Sequence, residues 1–356
     1  MNFQLDLAAA LTSYVPSVLL FPVFTKLLHR WQLMDEPDER KMHTRRTPAY
    51  GGLLIFVGYL LSVIIWTPFS EWYHLKFIIL TQAIMVLFGL RDDWTELKPL
   101  EKLSGQILAS FIIIFLVDVR IEGFYGLISE NAFHSIPSFG ISLLVIIGLI
   151  NAFNLIDGID GLAGSIGALA LFFFGVWFSL LGQVTFAILS FALLGAIMAF
   201  LFFNWQPASI FMGDTGSLFI GVTVATIALK AMNLNYELPS GHFAKFENTI
   251  TIGLCILCFP IFDTIRVMLI RTIINGTSPF RPDRRHIHHL LVDRGLSHQQ
   301  VVFLIFTFNL ILILAAIIFR NFEDINTLPI LLVILLLLSS ILNRLKKVES
   351  TPANIE

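Results

Sequence analysis

Charged residues and cysteines are scarce in this chain of 356 residues. Lys, Arg, Asp and Glu make up 13% of it and the formal net charge is −2, so we expect no broad attraction to nucleic acid. The two cysteines, Cys255 and Cys258, form one C-x-x-C inside GLCILCFPIF, with neither a second pair nor an accessible loop beside them. A zinc or redox site would need one of these, so we interpret both thiols as buried packing residues.

The sequence also shows no secretory signal, no internal repeat and no soluble domain. Its beginning, MNFQLDLAAALTSYVP, has no basic segment and no small-residue cleavage site, and therefore indicates a first membrane span that is retained. Apolar residues, by contrast, are abundant: they make up 56% of the chain, and the mean hydropathy is +0.81. These values indicate a polytopic membrane protein.

Eleven apolar segments are long enough to cross the hydrocarbon core of a bilayer, which takes about 20 residues in a helix. They lie at 7–28, 49–68, 76–90, 103–117, 139–156, 163–181, 184–203, 217–233, 250–270, 301–319 and 328–343. We therefore predict an all-α fold, a membrane bundle of 11 helices that forms one domain over residues 1–356.

Positive charge is distributed unevenly between the two sides of this predicted bundle. If successive helices alternate in direction, 18 of the 23 Lys and Arg residues fall on one side, in 26–48, 91–102, 266–300 and 344–347. Such residues concentrate in cytoplasmic loops. We therefore predict a periplasmic N-terminus, a cytoplasmic C-terminus and cytoplasmic loops near 29–48, 91–102, 204–216 and 271–300.

The stretch NAFNLIDGIDGLAG places four polar residues, each three positions from the last, between two apolar helices. They are Asn151, Asn154, Asp157 and Asp160. On a helix this spacing keeps the side chains on one side, and a tightened last turn would nearly align them. Helix capping needs only one such residue, so the set of four favours a functional site over capping. The predicted topology places this site at the cytoplasmic boundary of the membrane.

Two further acidic motifs fall on the same side. Asp92 and Asp93 are adjacent carboxylates, which repel each other unless a cation lies beside them; a divalent ion with oxygen ligands is one candidate, and a solvated helix end is the alternative. Asp214, in FMGDTGS, precedes the eighth helix, where backbone N–H groups can bind phosphate while the carboxylate holds a metal. A simple helix N-cap would look similar in sequence.

A basic stretch, DRRHIHHLL, follows the ninth helix on that side. A zinc site made from its histidines would lack a fourth ligand nearby, so we favour phosphate or sugar binding, with bidentate contacts from arginine. The alternative is a loop that only follows the charge bias of cytoplasmic segments, which explains the arginines but not three histidines. The candidates are Arg284, Arg285, His286, His288 and His289.

Acidic, glycine-lined and basic motifs at one membrane face fit a reaction between anionic phosphates, because a metal and cations must neutralise the charge that keeps two anions apart. One reactant would be a lipid phosphate and the other a soluble molecule. A secondary transporter is a rival, but it would place its acids near the middle of the membrane. A prenyltransferase with a DDxxE motif is another, although it needs a second acid-rich motif and has no use for the histidines.

The motifs GLRDDWTELKP, NAFNLIDGIDGLAG, FMGDTGSLFIG and DRRHIHHLL together resemble the polyprenyl-phosphate N-acetylhexosamine-1-phosphate transferase family, over residues 35–300. HIHH and the eleven predicted helices are similar to its GlcNAc-1-phosphate branch. The resemblance implies transfer of GlcNAc-1-phosphate from UDP-GlcNAc to undecaprenyl phosphate with release of UMP, dependent on Mg²⁺ or alternatively Mn²⁺. This would be the first membrane step of a cell-surface polysaccharide, on the cytoplasmic face of a bacterial cytoplasmic membrane. Another UDP-N-acetylhexosamine donor stays open, and a homodimer is compatible with the family.

The resemblance also implies roles for the acidic candidates. Asp214 would ligate Mg²⁺, and Asp92 and Asp93 would contact the metal or deprotonate the lipid phosphate. Asn154 and Asp157 would line the metal and nucleotide site. The motif DDWTE departs from members with a third Asp, so Glu96 is left out of the expected site.

The remaining roles concern the substrates. Asp160 would line a uridine pocket, Phe211 could stack on uracil, and the histidines with Arg284 and Arg285 would hold the sugar and diphosphate. Ahead of T-P-x-x-G-G the family often places a cation. The candidates for it here are Lys41, His43, Arg45 and Arg46.

Overall fold

The computed structural model describes residues 3–34, 47–128, 133–205, 207–278 and 285–347. The regular elements in these ranges are helical, which confirms the predicted all-α class. The α-helices are α1 (Phe3–Arg30), α2 (Gly51–Trp66), α3 (Trp72–Thr95), α4 (Pro99–Ile112), α5 (Ser135–Ile156), α6 (Leu162–Leu180), α7 (Val184–Asn204), α8 (Gly213–Glu237), α9 (Thr249–Ile256), α10 (Cys258–Leu269), α11 (Ile287–Val292), α12 (His298–Ile318) and α13 (Asp324–Lys347).

Nine helices in the described ranges are long and apolar enough to cross a membrane, and α9 with α10 forms a tenth, bent candidate. The other apolar helix of similar composition, α2, has only 16 residues. Each of the eleven predicted segments falls on one of these elements. The chain is therefore a multi-pass membrane protein, and a count of eleven spans requires that α2 and the bent pair both cross.

The prediction of one continuous helix over 250–270 is wrong, because α9 and α10 meet at an angle of 84°. Pro260 lies in the first turn of α10 and has no backbone N–H to donate. Asn309 of α12 satisfies backbone groups freed by the bend, donating to the carbonyl oxygen of Ile256 (3.1 Å) and accepting from the N–H of Phe259 (3.0 Å). Irregular backbone inside a membrane requires such internal partners.

The two cysteines lie on either side of this bend. Both are free thiols, and each side chain is buried. The interpretation of Cys255 and Cys258 as packing residues is therefore confirmed.

Helix α8 lies at the centre of the bundle and packs against α2, α3, α5 and α6. Two glycines on its neighbours allow this close approach. A Cβ atom on Gly52 would lie 2.1 Å from the backbone nitrogen of Gly216, and one on Gly89 would lie 2.4 Å from Cα of Thr215. The first turn of α8 is thus held between α2 and α3 with almost no intervening space.

The helices extend into the predicted loop at 91–102. Helix α3 continues to Thr95 and α4 begins at Pro99, so Asp92 and Asp93 belong to the last turn of α3. Alternation of chain direction then brings the end of α3, the start of α4, the end of α5 and the start of α8 to the same end of the bundle. The candidate site lies there.

Candidate functional site

The segment before α8 is fixed by backbone pairing with the segment before α2. The N–H of Phe211 donates to the carbonyl oxygen of Pro48 (2.8 Å), and the N–H of Gly51 donates back to the carbonyl oxygen of Phe211 (2.9 Å). Gly213 follows with a φ of +70°, and a Cβ atom there would lie 2.1 Å from the carbonyl oxygen of Ala49. Only glycine fits this position without strain, so the motif FMGDTGS depends on Gly213 to aim the start of α8.

Asp93 caps the N-terminus of α8. One of its carboxylate oxygens accepts from the backbone N–H of Asp214 (2.7 Å), and the other accepts from the N–H (3.0 Å) and hydroxyl (2.6 Å) of Thr215. A carboxylate at this position satisfies unpaired donors of the first turn and interacts favourably with the helix dipole. The structure thus gives Asp93 three hydrogen bonds that hold Asp214 in place.

The other members of the acidic set meet around one ammonium group. Lys102, in the second turn of α4, forms ion pairs with Asp92 (2.7 Å) and with Asp214, and its Nζ lies 3.5 Å from Oδ1 of Asn154. Asn154 in turn donates from its amide nitrogen to Asp214 (2.7 Å) and to the hydroxyl of Ser217 (2.9 Å). Oxygen atoms from α3, α5 and α8 therefore converge on one positive charge.

Asp157 completes this acidic cluster without a partner of its own. Its side chain makes no hydrogen bond with any residue in the described ranges. Burial, followed by the nearby carboxylates of Asp214, Asp93 and Asp160, holds the pKa of Asp157 well above its usual range. An unpaired carboxylate beside other carboxylates is a place where an added cation would be stabilised.

These donors fit a hard divalent cation. Carboxylate and amide oxygens are the ligands that Mg²⁺ prefers, and three of them already surround the ammonium group of Lys102. Within the described part of the chain, no three His, Cys, Asp or Glu side chains are already arranged around a metal position. Lys102 instead pairs with both Asp92 and Asp214.

The other two members of the spaced polar set have separate partners. Asn151 exchanges two amide hydrogen bonds with Gln106 of α4, at 2.8 and 3.1 Å. Asp160 lies 3.3 Å from Nδ1 of His298 at the start of α12. The contacts of Asn151, Asn154 and Asp160 thus connect the end of α5 and the turn after it to three different helices, α4, α8 and α12.

A second group of contacts positions the histidines. Asp263, fully buried on α10, accepts from Nδ1 of His286 (2.8 Å) and from the backbone N–H of Ile287 (2.9 Å). Arg266, one turn later, donates to the carbonyl oxygen of Arg285 (3.1 Å). These two side chains of α10 attach the segment that leads into α11 to the bundle.

His288 joins the histidine segment to the acidic turn. A Cβ atom on Gly158 would lie 2.5 Å from Nε2 of His288, so the ring packs directly against the turn that carries Asp157. The ring is fully buried, and neither of its nitrogens has a hydrogen-bond partner among the described residues. Burial, with a further contribution from His289, lowers the pKa of His288 to about 3. The ring is therefore neutral at physiological pH and can donate one N–H and accept at the other nitrogen.

We expect this depressed pKa to appear in the acid stability of the protein. The unfolded chain binds a proton at His288 near pH 6.5, so the stability that its neutral ring contributes is present above about pH 6.5 and lost as the pH falls toward 3. In detergent, the His288→Gln variant should therefore lose less thermal stability than the wild type between about pH 7 and 5. The exposed His134→Gln is the control, and equal losses in His288→Gln and wild type would contradict a buried neutral ring.

Three of the predicted substrate residues, Lys41, His43 and Arg284, lie outside the described residues, as do Arg45 and Arg46. Phe211 lies directly before Met212 and Gly213, with a partly buried ring at the same end of the bundle. All described members of the predicted set thus lie at one end of the helices. A transporter would require acids near the middle of the spans, whereas Asp92, Asp157 and Asp214 lie at helix ends.

Sequence reasoning missed Lys102 and Asp263. A lysine in the second turn of a membrane helix is repelled by the positive end of the helix dipole. Its presence there therefore indicates that nearby acids compensate its charge. Asp263 is a carboxylate inside the apolar stretch FPIFDTIRV, and an acid in a membrane helix indicates a specific partner. Both signals are present in the sequence, but neither identifies the partner.

Comparison with known proteins adds to this geometry. The model of glycosyl transferase family 4 matches residues 75–232, which include the acidic, asparagine and FMGDTGS motifs. The chain is 30% identical over 314 residues to the probable undecaprenyl-phosphate N-acetylglucosaminyl 1-phosphate transferase of Bacillus subtilis, covering 88% of this chain and 84% of that protein. It is 31% identical over 307 residues to the undecaprenyl-phosphate alpha-N-acetylglucosaminyl 1-phosphate transferase of Haemophilus influenzae, covering 83% and 81%. The enzyme of that name from Salmonella typhimurium is 28% identical over 316 residues, covering 85% and 81%.

Proposed function

This chain belongs to glycosyl transferase family 4, and we propose on that basis that it transfers GlcNAc-1-phosphate from UDP-GlcNAc to undecaprenyl phosphate. The products are undecaprenyl-diphosphate-GlcNAc and UMP. The observation that carries this proposal is the convergence of Asp92, Asn154 and Asp214 on one cation at the end of the bundle. The names of the relatives supply the polyprenyl phosphate and the N-acetylglucosaminyl phosphate.

The reaction exchanges one phosphoanhydride bond for another. An oxygen of the lipid phosphate forms a bond to the phosphorus that carries the sugar, and the bond from that phosphorus to the phosphate of UMP breaks. Both reactants are anions, so positive charge must lie between them before they can approach. A phosphate monoester is mostly dianionic at pH 7 because its second pKa is about 6. Deprotonation of the lipid is therefore a small part of the barrier, and charge neutralisation a large part.

We assign Asp92, Asp214, Asn154 and Asp157 as the residues that would hold Mg²⁺, with Mn²⁺ as an alternative. Bound there, the metal would withdraw electron density from the diphosphate oxygens and stabilise the charge of the leaving UMP. Lys102 contacts the same oxygens and supplies a second positive charge. The role of Asp93 in this scheme is to orient Asp214 through the first turn of α8.

The basic and aromatic residues around this cluster would hold the nucleotide sugar. His286, whose Nδ1–H is held by Asp263, presents Nε2 as an acceptor for a sugar hydroxyl, neutral His288 can donate one N–H, and Arg285 is the cation beside them. His289 and Arg284 belong to the same proposed group. Asp160 and Phe211 are proposed for the uridine, the first by accepting hydrogen bonds and the second by stacking on the base.

We propose that this end of the bundle faces the cytoplasm of a bacterial cell, with eleven spans in the cytoplasmic membrane. The basis is the concentration of Lys and Arg in the segments that join helices at this end. UDP-sugars are soluble and the lipid phosphate lies in the membrane, so a site at the interface reaches both reactants.

Purified protein supplied with UDP-[³H]GlcNAc, undecaprenyl phosphate and Mg²⁺ is expected to form a radiolabelled lipid and an equal amount of UMP. EDTA should stop the reaction, and excess Mg²⁺ should restore it, because the acidic cluster requires a cation to receive a diphosphate. Activity that survives chelation would contradict the metal assignment. Parallel assays with other UDP-N-acetylhexosamines distinguish the donor, and failure of all of them to label the lipid would overturn the proposed reaction.

Asp263→Asn is expected to lower kcat by about tenfold, because a hydrogen bond to a charged group contributes roughly 1.5–3 kcal/mol. The variant weakens the acceptor that fixes His286 and Ile287 while keeping the shape of the side chain. Initial rates at varied UDP-GlcNAc separate kcat from KM. Glu323→Gln, an exposed acid at the opposite end of the bundle, is the control. Unchanged kinetics in Asp263→Asn would show that the reaction does not need an oriented His286.

A further inference from the structure

A cavity of about 400 Å³ lies at the end of the bundle opposite the candidate site. Its polar lining includes Glu71, His74, Asp118, Gln183 and Lys230. Lys230 is on α8, roughly 24 Å along the axis from Asp214 at 1.5 Å per residue. This separation approaches the thickness of the hydrocarbon core, about 30 Å. The cavity is therefore at the other membrane interface and cannot share a ligand with the acidic cluster.

Lys230 is the cation of this cavity. It is partly buried and makes no hydrogen bond or ion pair with the described residues; its Nζ lies 6.0 Å from the centre of the Phe186 ring. A lysine at the lipid surface can reach the headgroups by extending along the helix. Lys230 instead lines a space inside the bundle, where an ionisable side chain usually has a ligand or a partner.

The same cavity also carries negative charge and an apolar floor. Glu71 and Asp118 are both exposed, and Asp118 lies 3.8 Å from the guanidinium group of Arg120. Below them, Leu75 and Ile78 of α3 are buried. A ligand that fits all three features has an anionic group, a cationic group and an apolar part.

Aromatic residues beside the cavity place it at the depth of lipid headgroups. Phe69 is 93% exposed and Tyr73 is 66% exposed, and both lie next to Glu71. Lys76, one turn along α3, has its Nζ 4.7 Å from the centre of the Tyr73 ring. Exposed aromatic rings with adjacent lysines are typical of the boundary between hydrocarbon and water.

We propose that this cavity binds the headgroup of a zwitterionic phospholipid, with the phosphate against Lys230 and the ammonium group against Glu71 and Asp118. The glycerol and the first part of the acyl chains lie over Leu75 and Ile78. The site is separate from the proposed transfer reaction and does not depend on it.

Other ligands fit this set of charges less well. Inorganic phosphate would leave Glu71 uncompensated and Asp118 with only its contact to Arg120, and a divalent cation would be repelled by Lys230. An anionic lipid such as phosphatidylglycerol offers the phosphate but nothing for Glu71 and Asp118. Only a headgroup that carries both signs pairs with all three side chains.

Native mass spectrometry of the full-length protein, with phosphatidylethanolamine and phosphatidylglycerol added in competition, tests the proposal. We expect the wild type to retain phosphatidylethanolamine preferentially. Lys230→Gln should weaken that binding about tenfold, since a charge-assisted hydrogen bond contributes roughly that factor. Lys230→Arg should preserve binding. The double variant Glu71→Gln/Asp118→Asn should remove the preference between the two lipids.

Lys76→Gln is the matched control, because this lysine is on α3, directly after the cavity residue Leu75, but does not itself line the cavity. All variants should keep the transfer activity of the wild type, which also shows that they are folded. Equal retention of the two lipids by the wild type would overturn the proposal. Unchanged binding in Lys230→Gln, or displacement of the lipid by inorganic phosphate, would overturn it as well.

Discussion

Asp214→Asn is expected to reduce GlcNAc-1-phosphate transfer by at least about 100-fold, in line with the loss of one preorganised electrostatic group from an active site. Asp214 is the carboxylate that meets both Lys102 and Asn154, and it is one of the proposed metal ligands. Asn keeps the size of the side chain but removes the negative charge. The measurement is formation of radiolabelled lipid from UDP-[³H]GlcNAc at saturating Mg²⁺.

The fold should survive this change. Asp93 caps α8 through the backbone of residue 214 and through Thr215, and none of these hydrogen bonds requires the Asp214 carboxylate. An unchanged elution profile and unfolding temperature would show this. Glu237→Gln, an exposed acid at the other end of α8, should keep full activity. If Asp214→Asn also keeps full activity, Asp214 takes no part in the reaction.

The different contacts of Asp92 and Asp93 show which part of the site could be read from the sequence. Alternating apolar helices place the ends of α3, α5 and α8 on one side of a membrane, so the location of Asp92, Asn154 and Asp214 at one membrane face follows from the order of the segments alone. The separate roles of two adjacent carboxylates do not. On a helix, neighbouring residues differ by about 100° in direction, and the direction of each is set by how α3 packs on α8.

The bend between α9 and α10 could not be predicted for a similar reason. Residues 250–270 are mainly apolar, with Asp263 and Arg266 as the charged exceptions, and composition alone favours one span. The bend becomes stable because Asn309, about 50 positions later, satisfies the backbone at the break. The same bend directs α10 so that Asp263 meets His286. The contact between Asp263 and His286 depends on how α10, α11 and α12 are placed relative to one another, and the hydropathy of the sequence does not predict that placement.

Lys102→Met is expected to lower kcat by about 100-fold, because the variant removes a positive charge that faces the reacting phosphates. The second expected effect of Lys102→Met is an increase, and it concerns the affinity for Mg²⁺. Lys102 occupies the same carboxylates that would bind Mg²⁺, and two like charges on one set of ligands repel. Without the lysine, the apparent affinity for Mg²⁺ should rise by about tenfold, equivalent to ~1.4 kcal/mol.

The two effects are measured independently. Transfer of labelled sugar phosphate gives kcat. The increase of the unfolding temperature with Mg²⁺ concentration gives the affinity for Mg²⁺, even where the activity is low. This works because a ligand that binds only the folded state stabilises it. Lys98→Met, an exposed lysine immediately before α4, should change neither quantity. A variant with lower kcat and unchanged Mg²⁺ affinity would mean that Lys102 contacts the substrate but does not share ligands with the metal. Loss of Mg²⁺ affinity would contradict the proposed arrangement, because the lysine would then be holding the carboxylates in a geometry that the metal requires.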